Sequence, residues 1–210
     1  MLKQIGTDFA RLRKFIGAEY NGHLSRNLEA APRGKIPGMK LDPEWQGILE
    51  ELLRGKVRAV ILTGGIGAGK TKTAAAMAAA LRTAGHRVGG VISPRILRDG
   101  ITYGYRVRDL LTGKEAPLCS LDPPGIRFRR FYFSPEGLRF AREAIIRAGR
   151  QARVTVVDEV GPWELRGGGF APALEKVLEA GKPLILTVRP HLVEKTLEGL
   201  GLRRTRVLRL

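Results

Sequence analysis

Acidic residues are scarce in this 210-residue chain: 20 Asp and Glu stand against 37 Lys and Arg, for a formal charge of +17. Such a surface attracts polyanions, whether nucleic acid, an acidic protein partner, a membrane surface or the phosphates of a nucleotide, and charge alone does not choose among them. Cysteine is nearly absent. A single Cys119 excludes any intramolecular disulfide, which fits a reducing cytosol. Long apolar runs are missing too, and none reaches the roughly 18 residues that suggest a membrane span. The start, MLKQIGTDFARLRK, has no continuous apolar stretch behind its basic residues and no small-residue cleavage pattern, so no secretory signal is expected. His23, His86 and His191 are scattered without ligand spacing, which gives no zinc site. The expectation is a soluble cytoplasmic protein without a membrane span.

Two parts are expected along the chain: residues 1–55 as a helical extension with a linker, and residues 56–210 as the main domain. Phe9, Leu12, Ile16 and Tyr20 recur at helical spacing, and Ala31 to Gly38, APRGKIPG, reads as the linker. A second helix is expected to open with Asp42 as N-cap and Pro43 at its first position. Its stripe of Trp45, Ile48, Leu49 and Leu52 would pack on the domain or on a partner. From Val57 onward, short apolar strands alternate with helical segments. That alternation predicts an α/β fold, a mainly parallel sheet with helices on both faces, with GITYGYRV and RFRRFYF as a small inserted β-hairpin.

Between the strand VRAVILTG and an Ala-rich helix beginning near Lys70 lies GGIGAGKT, Gly64 to Thr71. It matches G-x-x-x-x-G-K-[ST] in full, in the strand–turn–helix context that the phosphate-binding loop requires. Glycines let successive N–H groups turn inward around an anion, and the helix N-terminus adds positive potential. The expected nucleotide-binding residues are Gly64, Gly65, Ile66, Gly67, Ala68, Gly69, Lys70, Thr71 and Lys72. Lys70 would reach the β- and γ-phosphates, and the Thr71 hydroxyl would ligate Mg²⁺.

A metal held by one hydroxyl needs a carboxylate. The apolar strand VTVV ends in Asp158 and Glu159, at the strand terminus where open α/β sheets bind ligands. Asp158 is the expected second metal ligand, and Glu159 the expected group that orients or deprotonates an attacking water. Glu164, in GPWELRGGGF, is a second acid within reach, so the choice of base between Glu159 and Glu164 stays open. Glycines 167–169 suggest a loop that can move. Thr187 and Arg189 end the strand KPLILTVR, as γ-phosphate sensors or as a plain strand end.

These residues together resemble the THEP-type nucleoside-triphosphatase family, small P-loop proteins, over about Ala59 to Val193. The resemblance rests on GGIGAGKT, on GGVISPRILRDGITYGYRVRDLLTGKEAPL, and most specifically on Asp158, Glu159, Gly161, Trp163, Glu164, Leu165 and Phe170. It implies a P-loop NTPase three-layer sandwich and slow, Mg²⁺-dependent hydrolysis of several nucleoside triphosphates. Where the family commonly has an arginine after the second strand this chain has Leu97, flanked by Arg95 and Arg98.

Two other functions fit the same motifs. One is a nucleotide or polynucleotide kinase that uses hairpin residues such as Arg106 and Arg108 to bind an acceptor. The other is a nucleotide-gated module that holds nucleic acid or an acidic partner on its basic surface. RFRRFYF could stack bases between arginines, although the alternation of Phe131 and Phe133 with polar neighbours reads more simply as a half-buried strand.

Overall fold

The computed structural model describes residues 43–210. The expected first helix, the linker and Asp42 lie outside the described residues. Helix α1 spans Pro43–Leu53, and β1, Ala59–Thr63, leads through the glycine loop into α2, Lys70–Thr83. After β2, Val88–Ile92, come five short strands: β3 Arg95–Arg98, β4 Ile101–Asp109, β5 Glu115–Ser120, β6 Ile126–Phe128 and β7 Phe131–Phe133. Helix α3, Pro135–Gln151, returns the chain to β8, Val154–Val160. Then follow α4 Ala171–Glu179, β9 Leu184–Val188, α5 Val193–Gly199 and β10 Thr205–Arg209.

All ten strands share one sheet, in the order β10-β1-β9-β8-β2-β4-β5-β7-β6, with β3 beside β4. The first five in that order pair in parallel, and from β4 onward the pairing is antiparallel. The antiparallel wing is larger than the small hairpin expected. Apart from β4 its strands are short, and Gly104 and Pro117 interrupt β4 and β5, so their pairing is invisible to a search for apolar runs.

Successive residues of β1 face opposite sides, and the sheet separates two cores. Val60 and Leu62 join Leu49, Leu52, Met77 and Leu81 beneath α1 and α2, whereas Ala59 and Ile61 join Ile145, Leu174 and Val177 beneath α3 and α4. Helices thus cover both faces. Each fully buried aliphatic side chain here is worth about 1.5–3 kcal/mol relative to exposure. The apolar stripe of α1 packs into the first of these cores, with Leu49 and Leu52 fully buried.

The two helices that flank the sheet's central strands begin differently. Ser134 caps α3, its Oγ accepting from the Gly137 N–H at 3.1 Å. Helix α2 has no side-chain cap: its N-cap is Gly69, held at φ 92° where any other residue would be strained. The first N–H groups of α2 are therefore left for a ligand, and they sit at the C-terminal end of the parallel strands.

Candidate active site

Strand β9 lies between β1 and β8, and its neighbours bring the two sequence motifs together. Thr63, the last residue of β1, is level with Val188, which is in turn level with Val160 of β8. The glycine loop and the acidic strand end thus leave the sheet side by side. Lys70 is buried and its Nζ donates to the carbonyls of Gly64 and Gly65, both at 2.8 Å, so the ammonium is held across the mouth of the loop. Ile66 stands 78% exposed at the loop's tip, and Lys72 is also exposed.

Thr71 Oγ1 donates to Asp158 Oδ2 at 2.9 Å, which joins the two expected metal ligands directly. Asp158 is completely buried. Its Oδ2 also accepts from the Ser93 N–H at 2.9 Å, and its Oδ1 accepts from the Thr187 hydroxyl. Burial pushes its carboxyl above the usual range, and hydrogen bonds from Thr187, Ser93 and Thr71 oppose that.

Glu159 owes its direction to a β-bulge. Between the pairs Val157↔Leu186 and Val160↔Val188, β8 has two residues, Asp158 and Glu159, opposite the one residue Thr187 of β9. Glu159 takes up the extra residue at φ 63°, a conformation that costs a non-glycine residue about 1 kcal/mol or more. The Thr187 hydroxyl holds both bulged residues, since it also accepts from the Glu159 N–H at 2.8 Å. Asp158 points into the protein and Glu159 out toward the site, where Arg189, Lys70 and Arg95 lie near enough to favour its charged form. Burial and the Asp158 charge outweigh them and raise the Glu159 carboxyl above its ordinary value. Among the described residues neither Arg95 nor Arg189 makes an ion pair.

Glu164 is placed differently. It sits on a short 3-10 turn, Glu164–Arg166, and both its oxygens are occupied: Oε2 accepts from the Gly161 N–H at 3.0 Å and Oε1 from the Phe170 N–H at 3.3 Å. The carboxyl thereby closes the loop after Glu159 on itself. Of the three glycines expected to confer movement, Gly168 and Gly169 sit in close packing. A Cβ on Gly169 would fall 1.9 Å from Glu164 Oε1, and one on Gly168 would fall 2.0 Å from Trp163 Nε1. Arg142 adds a bond to the Gly169 carbonyl at 2.7 Å.

Burial, reinforced by the Glu159 charge, raises the Glu164 carboxyl from 4.5 to about 7, against its N–H donors. The folded state then binds the proton more tightly than the unfolded chain. Glu164 favours folding fully below pH 4.5, and this contribution is lost as pH rises to about 7. Its size is at most about 3 kcal/mol. Denaturant titrations across this range should show that decline in the native protein but not in Glu164→Gln. The variant should also be about 1–3 kcal/mol weaker at acid pH, because one amide oxygen cannot serve two buried N–H groups. Parallel pH profiles would contradict the assignment.

Arg106 and Arg108, considered as acceptor-binding residues, are both paired with Glu115. Cys119 is buried, and burial pushes its thiol up to about 12, which leaves no thiolate for catalysis. Among the described residues no group of three or more His, Cys, Asp or Glu could hold a metal ion. Likewise, no described helix is long and apolar enough to cross a membrane.

The family model described as NTPase matches residues 59–209, the whole sheet from β1 to β10. The chain belongs to the THEP-type nucleoside-triphosphatase family. The nucleoside-triphosphatase THEP1 of Thermofilum pendens is 38% identical over 130 residues, covering 61% of this chain and 71% of the relative. That of Pyrococcus abyssi is also 38% identical over 130 residues, covering 61% and 73%. Among solved structures, the solution structure of a human cancer-related nucleoside triphosphatase superposes with a TM-score of 0.57 at 25% identity, over 73% of this chain and 89% of that one. Membership makes this chain an NTPase of P-loop fold and matches the expectation drawn from its three motifs. Ser93 and Thr187, the two residues that hold Asp158 and the bulge, have no motif of their own. Thr187 acts through its hydroxyl at the end of an apolar strand, whereas Ser93 acts through its backbone N–H, for which the side chain gives no signal.

Proposed function

We propose that this NTPase hydrolyses nucleoside triphosphates, ATP and GTP among them, to the diphosphate and phosphate with Mg²⁺. The observation that carries the reading is the Thr71–Asp158 hydrogen bond, because it unites the phosphate loop with the acidic strand end. The donor set suits the metal: one hydroxyl and one carboxylate leave an octahedral cation room for phosphate oxygens and waters, which Mg²⁺ prefers to an all-protein cage. The buried hydroxyls of Thr63 and Ser93, at the same ends of β1 and β2, have no protein partner, which suits a site completed by ligand and water. Thr71 and Asp158 would hold Mg²⁺, which would supply positive charge against the phosphates.

The chain's own groups do the rest. Lys70 exchanges its two carbonyl partners for β- and γ-phosphate oxygens. The free N–H groups of the glycine loop and α2 hold the triphosphate. Glu159 orients a water behind the γ-phosphorus and takes its proton as the water oxygen bonds to phosphorus and the bridging P–O bond breaks. Its raised carboxyl makes it a stronger base than a solvated glutamate. Glu164, with both oxygens engaged, positions the loop and leaves the base role to Glu159.

Arg189 leaves β9 between the glycine loop and Glu159, where negative charge builds during the transfer. Removing one such preorganised donor typically lowers kcat by about 10²–10³. Arg189→Ala should therefore reduce kcat by that order with a much smaller change in KM, and an unaltered kcat would pass the role to Arg95, the other arginine that acts on Glu159 among the described residues.

Phosphate release should be measured with ATP, GTP, CTP and UTP, with Mg²⁺ and with a chelator. Release from several of the four that vanishes with the chelator supports the proposal. Phosphate appearing on an acceptor and not in solution would replace it with phosphoryl transfer.

A further inference from the structure

The β6–β7 hairpin is not needed to hold a triphosphate, yet it is joined to the catalytic loop. The Phe128 ring stacks on Trp163 at 5.1 Å and 11°, and Phe133 meets the same indole edge-on at 4.7 Å. Trp163 follows the Asp158–Glu159 bulge by a few residues, so the hairpin's tip lies on the same rim of the sheet as the active site. Phe128 pairs with Phe131, which leaves Arg129 and Arg130 as a two-residue turn. Arg129 sits at φ 55°, in the region where such turns ordinarily use Asn or Gly. The sequence thus places a strained arginine where an unstrained residue would fold better, and that points to function.

The tip is a cluster of cations without anions. Arg166 lies over Phe128 at 5.5 Å, its Nε fixed by the Pro162 carbonyl, and Arg130 lies over Phe131 at 4.9 Å. Arg129 stands 6.0 Å from the Phe128 ring, and Arg127 stands 6.0 Å from Tyr132 on the hairpin's other face. Elsewhere on the surface Arg54, Arg106, Arg108 and Arg206 pair with glutamates, but among the described residues none of the four arginines at the tip has a carboxylate partner. From Pro123 to Pro135 the chain contains no acidic residue at all.

We infer that this tip is a docking site for single-stranded nucleic acid, with Arg129, Arg130 and Arg166 on the phosphates and Tyr132 with Arg127 offering stacking surface to a base. Guanidinium planes resting on aromatic rings keep their hydrogen-bonding edges free for phosphate, and both kinds of plane stack on unpaired bases. An aromatic ring and a guanidinium beside the turn suit unpaired bases, which can stack on them, and this favours a single strand over a duplex whose bases are already stacked on one another. An acidic protein would match the charge but gives no use for the Tyr132 ring, which lies in none of the ring pairs that hold Phe128, Phe131 and Phe133.

The test is fluorescence anisotropy with a 5′-labelled oligouridylate of about 20 nucleotides, titrated with the whole chain from about 50 to about 200 mM salt. Binding should weaken steeply with salt. Arg129→Ser combined with Arg130→Ser should bind about tenfold or more weakly, with the salt slope smaller by about 1.4 for two lost phosphate contacts to a single strand. Phosphate release without oligonucleotide should not change. Arg129→Gly alone guards against misfolding: it relieves the positive φ, so its thermal midpoint should not fall while its affinity does. An oligothymidylate arm separates RNA from DNA, and binding of either supports the site. No binding at the lowest salt, equal affinity in the variants, a duplex bound as tightly, or polyglutamate competing as well as the oligonucleotide would each overturn it.

Discussion

Replacing Lys70 with alanine is expected to remove measurable hydrolysis and to weaken triphosphate binding far more than diphosphate binding. The ammonium is buried and is held by the Gly64 and Gly65 carbonyls, in the mouth of the loop, and it needs only to exchange partners to meet the phosphates. A charge-assisted bond of this kind in a water-poor site is worth more than a surface contact, and it strengthens as charge moves onto the γ-phosphoryl oxygens. A loss of kcat/KM of about 10³ or more is expected from steady-state phosphate release. The fold should survive, because the side chain's partners are two carbonyls at the edge of the site that water can reach once it is gone. If Lys70→Ala kept near-native turnover, the glycine loop would not be where the reacting phosphate sits.

Glu159→Gln should separate binding from chemistry. Glutamine keeps the shape and the backbone bond to Thr187, so nucleotide affinity should stay within a few fold, while kcat falls by about 10²–10⁴ with the loss of the general base. The native pH profile should carry the same signature. Burial and Asp158 raise the Glu159 carboxyl, so activity should fall as pH drops through a value above the ordinary carboxylate range, and this acid limb should be absent from the residual activity of the variant. Glu159→Gly adds a check on the backbone: relief of φ 63° should stabilise the protein by about 0.4–1 kcal/mol while hydrolysis is lost. Full activity in the glutamine variant would move the base elsewhere, and Glu164 could take it only by giving up the N–H groups of Gly161 and Phe170.

How much of this was visible in the sequence depends on how local the cause is. The glycine loop is legible because strand, turn and helix are contiguous and each glycine answers a local backbone demand. Asp158 and Glu159 are legible because an acidic pair ending an apolar strand has a standard place in such sheets. The bulge that sends the two carboxylates in opposite directions is not, since it exists only where β9 lies beside β8 and Thr187 faces two residues at once. Arg189 becomes significant for the same non-local reason: the order β1-β9-β8 sets it between the two motifs.

Three glycines in a row suggest motion, but two of them make room for Trp163 and Glu164, and the turn they form is pinned by Arg142. The antiparallel wing is not legible in the sequence, because strands as short as Ile126–Phe128 show no periodicity long enough to count. Helix α1 was easier. Its stripe of Ile48, Leu49 and Leu52 has the spacing of one helical face, and that face packs against β1.

The most direct measurement is a structure determined with a non-hydrolysable triphosphate and Mg²⁺. The γ-phosphate should lie between Lys70 and Glu159, with one metal ion held by Thr71 and Asp158. A triphosphate bound away from residues 64–71, or a metal that makes no approach to Asp158, would contradict the proposal that loop and strand end act on one substrate.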